Sequence, residues 1–329
     1  MHELVRTLSE RILSGKRIGH EEALMLCDID NKGLIELLSG ASRIREKFFG
    51  NRITLCTIIN AKSGSCSENC AFCAQSSHNY AEIPEYELAD EDQIVEFATR
   101  AEKNGSSCYG IVTSGTGITE GEELERICSA VSKIRSSASI HPSCSLGIID
   151  YNTAVRLKIA GMTTYHHNLE TARSFFPSIC TTHDYEDDIK TIRAAKLAGL
   201  KVCSGGIFGL GENSGQRVEM AMTLMELEVD SVPLNFLDPV KGTPLEMADY
   251  LTPLECLKII AIYRFILPDK EIKVCGGREK NLRELQSWIF MAGASGMMTG
   301  NYLTKPGRPT ELDRQMLSDL QLEVAECNR

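Results

Sequence analysis

The stretch ITLCTIINAKSGSCSENCAFCAQSS occupies residues 53–77. Its first nine residues are mostly apolar or β-branched, which is strand composition. Close behind them stand Cys66, Cys70 and Cys73 in the spacing C-x3-C-x2-C. The thiol segment is rich in Ser, Asn and Gln and reads as an exposed loop. A strand that runs straight into a chemically loaded loop points to an α/β architecture, where sites gather at the C-terminal ends of strands. Thiolate-held metals and clusters usually take four protein ligands, and this loop offers three.

Working outward, the strand pattern recurs at SCYGIVTS (107–114), SIHPSCSL (139–146), TTYHHNL (163–169), LKVCSGGIFG (200–209), SVPLNFL (231–237), EIKVCGG (271–277) and GMMTG (296–300). Helical stretches separate them, at 90–105, 122–134, 151–161, 185–199, 216–228, 253–267 and 282–293, with a last one from Pro309. Gly105, Gly161 and Gly199 follow three of these stretches, as helix C′ residues should. In the 216–228 stretch, Val218, Ala221, Met222 and Met225 share one face, and its methionines read as core filler. Eight strand–helix pairs in roughly 270 residues predict a (β/α)8 TIM-type barrel of class α/β. The alternative, a doubly wound open sheet, usually carries G-x-G-x-x-G after its first strand, and no such spacing occurs. Residues 1–50 are helical in pattern. The expected organisation is an N-terminal helical extension over 1–50 and a barrel domain over 51–329.

The chain has 329 residues, 43% hydrophobic and 24% charged, which suits a globular protein with a sizeable core. Its formal net charge of −10 argues against nucleic acid as a partner, since phosphate contacts need surplus Lys and Arg. The first residues, MHELVRTLSERILSGKR, are charged throughout and lack the apolar core of a secretory signal. No apolar run is long enough to span a membrane. Thirteen cysteines in such a chain favour metal, redox or core roles over disulfides, and a cytoplasmic location.

Two readings of the three thiols compete. His78 lies five residues after Cys73, so a closed Cys3His zinc site is one. The other is a [4Fe–4S] cluster held by three cysteines, with one iron left open. C-x3-C-x2-C opening a barrel of this length resembles the radical S-adenosylmethionine enzymes. That resemblance implies that Cys66, Cys70 and Cys73 hold the cluster, whose open iron chelates S-adenosylmethionine. Reductive cleavage of this cofactor then gives a 5′-deoxyadenosyl radical able to attack an unactivated C–H bond. It implies that Phe72 packs near the adenine. GGIFGLGE (205–212) resembles the same superfamily's G-x-I-x-G-x-x-E pattern through Gly205, Ile207, Gly209 and Glu212.

Four further segments narrow the resemblance: TYHHNLET (164–171), KVCSGGIFGLGE (201–212), VPLNFLDPVKGTPLE (232–246) and GGREKNL (276–282). Together they are similar to the biotin synthase family, over about residues 40–305. The resemblance implies insertion of sulfur into dethiobiotin, with an auxiliary iron–sulfur cluster as sulfur donor. That cluster is normally a [2Fe–2S] held by three cysteines and an arginine. It implies that Asn168 and Asn235 bind dethiobiotin, that Glu170 meets the ribose hydroxyls, and that Cys144 and Cys203 are auxiliary ligands. It also implies a flavodoxin or ferredoxin electron donor and a homodimer. His166 and His167 read as strand-end polar residues satisfied by neighbours.

Three positions depart from the family pattern. Gly110 stands where a second-strand cysteine is usual, with Cys108 two residues earlier. Lys273 stands at the arginine position, with Cys275 two residues later on the same strand face. The expectation is that Cys144, Cys203 and Cys275 hold an unusual auxiliary cluster of four irons, with Cys108 a weaker candidate. Of the remaining thiols, Cys56 on the first strand is the one to follow. Asp188 stands where an arginine is expected to meet the S-adenosylmethionine carboxylate, leaving Arg193 or another cation to serve. The alternatives are another radical barrel enzyme, of hydrogenase maturase or mutase type, and a structural zinc protein.

Overall fold

The structure, a computed structural model, describes residues 3–325; positions 1–2 and 326–329 lie outside it. Three helices come first: α1 (Glu3–Leu13), α2 (His20–Cys27) and α3 (Leu34–Phe49). Nine strands then build the inner wall: β1 (Arg52–Lys62), β2 (Cys108–Thr113), β3 (His141–Ser145), β4 (Thr164–His166), β5 (Lys201–Cys203), β6 (Gly206–Phe208), β7 (Ser231–Phe236), β8 (Glu271–Val274) and β9 (Gly296–Met298). All pairings are parallel, and β9 returns to β1 through Thr54↔Gly296 and Leu55↔Met297, which closes the sheet. Since β5 and β6 are two halves of one broken strand, this is an eight-stranded barrel.

The break lies at Ser204–Gly205, where the backbone runs very close to β7. A Cβ at Gly205 would stand 2.0 Å from the Pro233 carbonyl oxygen, so only glycine allows the strand halves to approach β7 this closely.

The outer layer is α4 (Glu91–Lys103), α5 (Gly121–Ser137), α6 (Tyr151–Ile159), α7 (Tyr185–Leu197), α8 (Ser214–Glu226), α9 (Pro253–Ile266), the short α10 (Arg278–Leu282) and α11 (Trp288–Met291), and α12 (Thr310–Asp319). Gly105, Gly161 and Gly199 adopt positive φ (85°, 101° and 78°) behind α4, α6 and α7, as their positions predict.

Three details correct the sequence reading. On α8 the buried face is Val218, Met220, Ala221 and Leu224, while Met222 and Met225 are half-buried. The single helix expected over 282–293 is broken, because Arg283 takes a positive φ of 50°. The last helix stops at Asp319, and Glu323–Val324 forms a short strand, β10, beside Arg52 and Ile53 of β1.

Helix α9 explains where α1–α3 sit. PLECLKIIAIYRFI is apolar almost all round, so it needs cover on both sides. The barrel covers one side, and α3, α1 and α2 pack against the other. Its Arg264 is fully buried yet satisfied, donating to the carbonyls of Gly293, Leu267, Pro268 and Lys270 and to the Ser295 hydroxyl.

Candidate active site

Side chains alternate along each strand, so half of every strand faces the barrel interior. There a cavity of about 490 Å³ opens towards the C-terminal ends of the strands. Cys66, Cys70 and Cys73 line it together, on the loop that follows β1. That loop is held by its own backbone. Cys66 donates N–H to the Gln75 carbonyl (3.0 Å), Ser77 N–H returns to Cys66 (2.8 Å), and Asn79 Nδ2 donates to the carbonyls of Cys70 (3.2 Å) and Cys73 (2.8 Å). His78, the zinc candidate, instead turns its Nε2 to the Ser67 carbonyl (3.0 Å) and does not line the cavity. The Cys3His site is therefore not formed. Three thiols facing a shared space, with room beside them, fit a cluster that binds a small molecule at an open iron.

Phe72, Glu170, Ile207, Asn168 and Asn235 also line the cavity. Glu170 occupies a positive φ of 58°, and burial, aided by Asp188, pushes its carboxyl up to about 8. Asn168 Oδ1 accepts from Gly205 N–H (3.2 Å), and Asn235 bridges Gly276 N–H (2.9 Å) and the Gly206 carbonyl (3.2 Å). Gly205 and Glu212 do not line the cavity. Glu212 accepts from the N–H groups of Gly209 (3.0 Å) and Leu210 (2.8 Å) and from Arg217 Nε (2.7 Å). Its carboxylate holds the turn after β6, and Gly205 lies at the strand break.

The floor of the cavity carries the thiols. Cys108 and Cys203 face inward, as do Cys56 and Cys275. Cys144 does not. Its neighbours on β3, Ser143 and Ser145, line the cavity, while Cys144 is fully buried in the apolar layer beneath α5, near Cys128. Register decides this: Gly110 pairs with Ser143 and the outward Ile111 with Cys144. The expected ligand trio Cys144, Cys203 and Cys275 is thus broken by strand parity.

Lys273 faces the same floor, and its Nζ lies 2.8 Å from Glu271 Oε2. Burial works against its charge, but Cys56, Glu271, Cys203 and Cys108 outweigh burial and hold the ammonium well above its ordinary range. His166 also faces inward, against Cys203 and Cys108, and its Nε2 is buried without a hydrogen-bond partner. It is not the satisfied strand-end residue that the sequence suggests.

At the cavity rim, Asp188 replaces a cation with an anion between two imidazoles. His167 Nε2 lies 2.8 Å from Asp188 Oδ1, and His183 Nε2 lies 3.5 Å from the same oxygen. His183 Nδ1 lies 2.7 Å from Glu68 Oε2 and 3.4 Å from Cys180 Sγ. Arg193 is exposed and does not line the cavity, whereas both histidines do. The basic side chains beside Asp188 are therefore two imidazoles and not a guanidinium. Glu68, Cys180 and His183 were not legible in the sequence, because the loop after β4 folds back onto the thiol loop only in three dimensions.

Residues 62–224 match the Radical SAM superfamily, and residues 233–323 match the Biotin and Thiamin Synthesis associated domain. The chain is 63% identical to the biotin synthase of Geotalea uraniireducens over 99% of both proteins. It is 63% identical to that of Pelobacter propionicus over 100% of both. It is 62% identical to that of Geobacter sulfurreducens over 98% of both. Among solved structures it resembles methylornithine synthase (TM-score 0.84, 21% identity, 97% of each chain). It also resembles a maturase of the [FeFe]-hydrogenase (TM-score 0.84, 18% identity, all of this chain and 76% of that one). At such low identity these two likenesses show the barrel fold alone.

Proposed function

Because this chain belongs to the biotin synthase family, we propose a division of labour among the residues that line its barrel. The overall reaction is radical insertion of sulfur into dethiobiotin, with S-adenosylmethionine, a [4Fe–4S] cluster and an auxiliary iron–sulfur cluster as cofactors. When bound, these groups supply a radical that abstracts hydrogen from unactivated carbon, and the sulfur that replaces it.

Cys66, Cys70 and Cys73 hold the [4Fe–4S] cluster at the cavity rim. Phe72 and Ile207 offer apolar surface for the adenosyl group, and Glu170 accepts from its ribose hydroxyls. Asn168 and Asn235, fixed by backbone hydrogen bonds, orient dethiobiotin between the two clusters. The auxiliary cluster takes its thiolates from the inward set: Cys203 and Cys108, joined by Cys56, with Cys275 at the edge of the same floor. Tyr302, Leu303, Thr304 and Lys305 line the mouth, and Lys305 Nζ meets Asp238 Oδ2 at 2.6 Å, which limits water entry over the substrate.

The remaining assignments rest on composition and family. They are a barrel domain over 51–329 with an extension over 1–50, a cytoplasmic location, a flavodoxin or ferredoxin as electron donor, and a homodimer. No helix among the described residues is long and apolar enough to cross a membrane.

The observation that carries this reading is a single cavity with three thiols at its rim and, at its floor, inward thiols from β1, β2 and β5 and from Cys275 just after β8. Product analysis tests it. Reduced, reconstituted protein with S-adenosylmethionine and dethiobiotin should yield biotin, and 5′-deoxyadenosine in a dethiobiotin-dependent manner. Absence of biotin, with cleavage indifferent to dethiobiotin, would show the assignment wrong. Iron and sulfide counts after reconstitution separate a four-iron auxiliary cluster from a two-iron one.

A further inference from the structure

Four donors form an unbroken arc across the floor of the barrel. Cys56 on β1 pairs in register with Cys108 on β2, and the two thiols lie against each other. Cys108 lies against His166 on β4, and His166 lies against Cys203, its register partner on β5. Between β2 and β4, β3 contributes the Ser143 hydroxyl, 3.5 Å from Cys108 Sγ, and His141, the register partner of Cys108, which unlike His166 does not line the cavity. The arc therefore contains three thiols and one imidazole.

Two other groups border the arc, and neither completes it. Lys273 Nζ is already engaged by the Glu271 carboxylate at 2.8 Å. The Cys275 thiol is turned to the carbonyl of Lys273 at 3.7 Å. His166 differs from both. Its Nε2 is buried with no hydrogen-bond partner, an arrangement that costs free energy unless something fills the position. Neutral imidazole is a good ligand for iron, and histidine can replace cysteine on a two-iron cluster.

We propose that the auxiliary cluster has a mixed donor set, with sulfur from Cys56, Cys108 and Cys203 and nitrogen from His166. This rests on the reading of the floor as the auxiliary-cluster site. Lys273 then acts as a buried counter-charge to the thiolates and not as a ligand. Cys275 remains a free thiol beside the cluster. Imidazole is neutral where thiolate is anionic, so a nitrogen ligand raises a cluster's reduction potential.

The test uses full-length protein with Cys66, Cys70 and Cys73 replaced by alanine, so that only the auxiliary cluster remains. The protein is reconstituted without air, with natural-abundance or 15N-labelled histidine, reduced by one electron, and examined by pulsed electron paramagnetic resonance. The expected result is a strong nitrogen coupling that changes with the histidine label. His166→Cys should abolish that coupling, retain iron and sulfide, and lower the reduction potential. The labelling result needs no change at His166, so it stands even if His166→Cys folds poorly. A cluster without histidine coupling, or a coupling that survives His166→Cys, overturns the ligand assignment alone. A protein that takes up no iron overturns the auxiliary-site reading, and this proposal with it.

Discussion

The Ser143 hydroxyl lies 3.5 Å from the Cys108 thiol inside the barrel. Ser143 is next to Cys144 in sequence, so this contact sends Cys144 to the opposite face of β3. A substitution series separates the two faces. Cys144→Ala should keep full iron and sulfide content and lose ~1–2 kcal/mol of stability through a small core void. Cys203→Ala and Cys108→Ala should each lower auxiliary iron severalfold while the rim cluster is retained. Iron analysis and chemical denaturation check both. Loss of iron in Cys144→Ala would mean that the β3 register differs in the loaded protein.

Asp188 should control the charge of His183. The Asp188 carboxylate, then Cys180 and Glu68, raise the His183 imidazole to about 11 against the opposing effect of burial. A base whose pKa rises on folding stabilises the fold fully below its unfolded value of 6.5, and this contribution fades as pH climbs through the folded value. Asp188 itself stays ionised below its ordinary value of 3.8, despite burial, because His167 and His183 donate to it. The stability gap between the parent and Asp188→Asn should therefore be full between about pH 4 and 6.5 and narrow steadily above that. Denaturation midpoints across neutral and alkaline pH give the answer. A gap that widens with pH would reverse the assigned charges.

Glu212→Gln should damage the fold more than the binding site. The carboxylate satisfies two backbone N–H groups and Arg217, and the side chain does not line the cavity. A loss of ~2 kcal/mol is expected, with S-adenosylmethionine affinity little changed in protein that stays folded. Equilibrium binding at low temperature, beside a melting curve, distinguishes the two. A selective collapse of affinity would put Glu212 in contact with the cofactor.

Asp313 fastens α12 to the barrel. It accepts from Arg278 at 2.5 Å, from Arg308 at 3.1 Å and from the Thr299 hydroxyl at 2.9 Å, and both Arg278 and Asp313 are fully buried. Asp313→Asn leaves a buried guanidinium without its counter-ion, which costs about 3 kcal/mol or more. Proteolysis should then cut first near the 300–308 segment, between β9 and α12. An unchanged denaturation midpoint would show that solvent replaces the carboxylate.

The barrel was legible because its causes are local. Strand and helix periods, glycines behind helices, and the thiol spacing are all written along the chain, and each constrains its own neighbourhood. The rim cysteines belong to this class, since one short loop carries all three. The sequence also determined which residues share a strand face, because alternation is a property of one strand.

The tertiary structure alone decided which face of each strand points inward, and at what height. Inter-strand register places Cys56 beside Cys108 and His166 beside Cys203, and turns Cys144 away. No one-dimensional pattern encodes that offset, because it is set by how every strand packs against its neighbours. The same holds for Asp188. Its departure from the family's arginine was visible in the sequence, but its two imidazole partners come from β4's end and from a loop that folds back over the cavity. The chain's own order therefore identified the chemistry, and closure of the barrel selected which side chains meet to perform it.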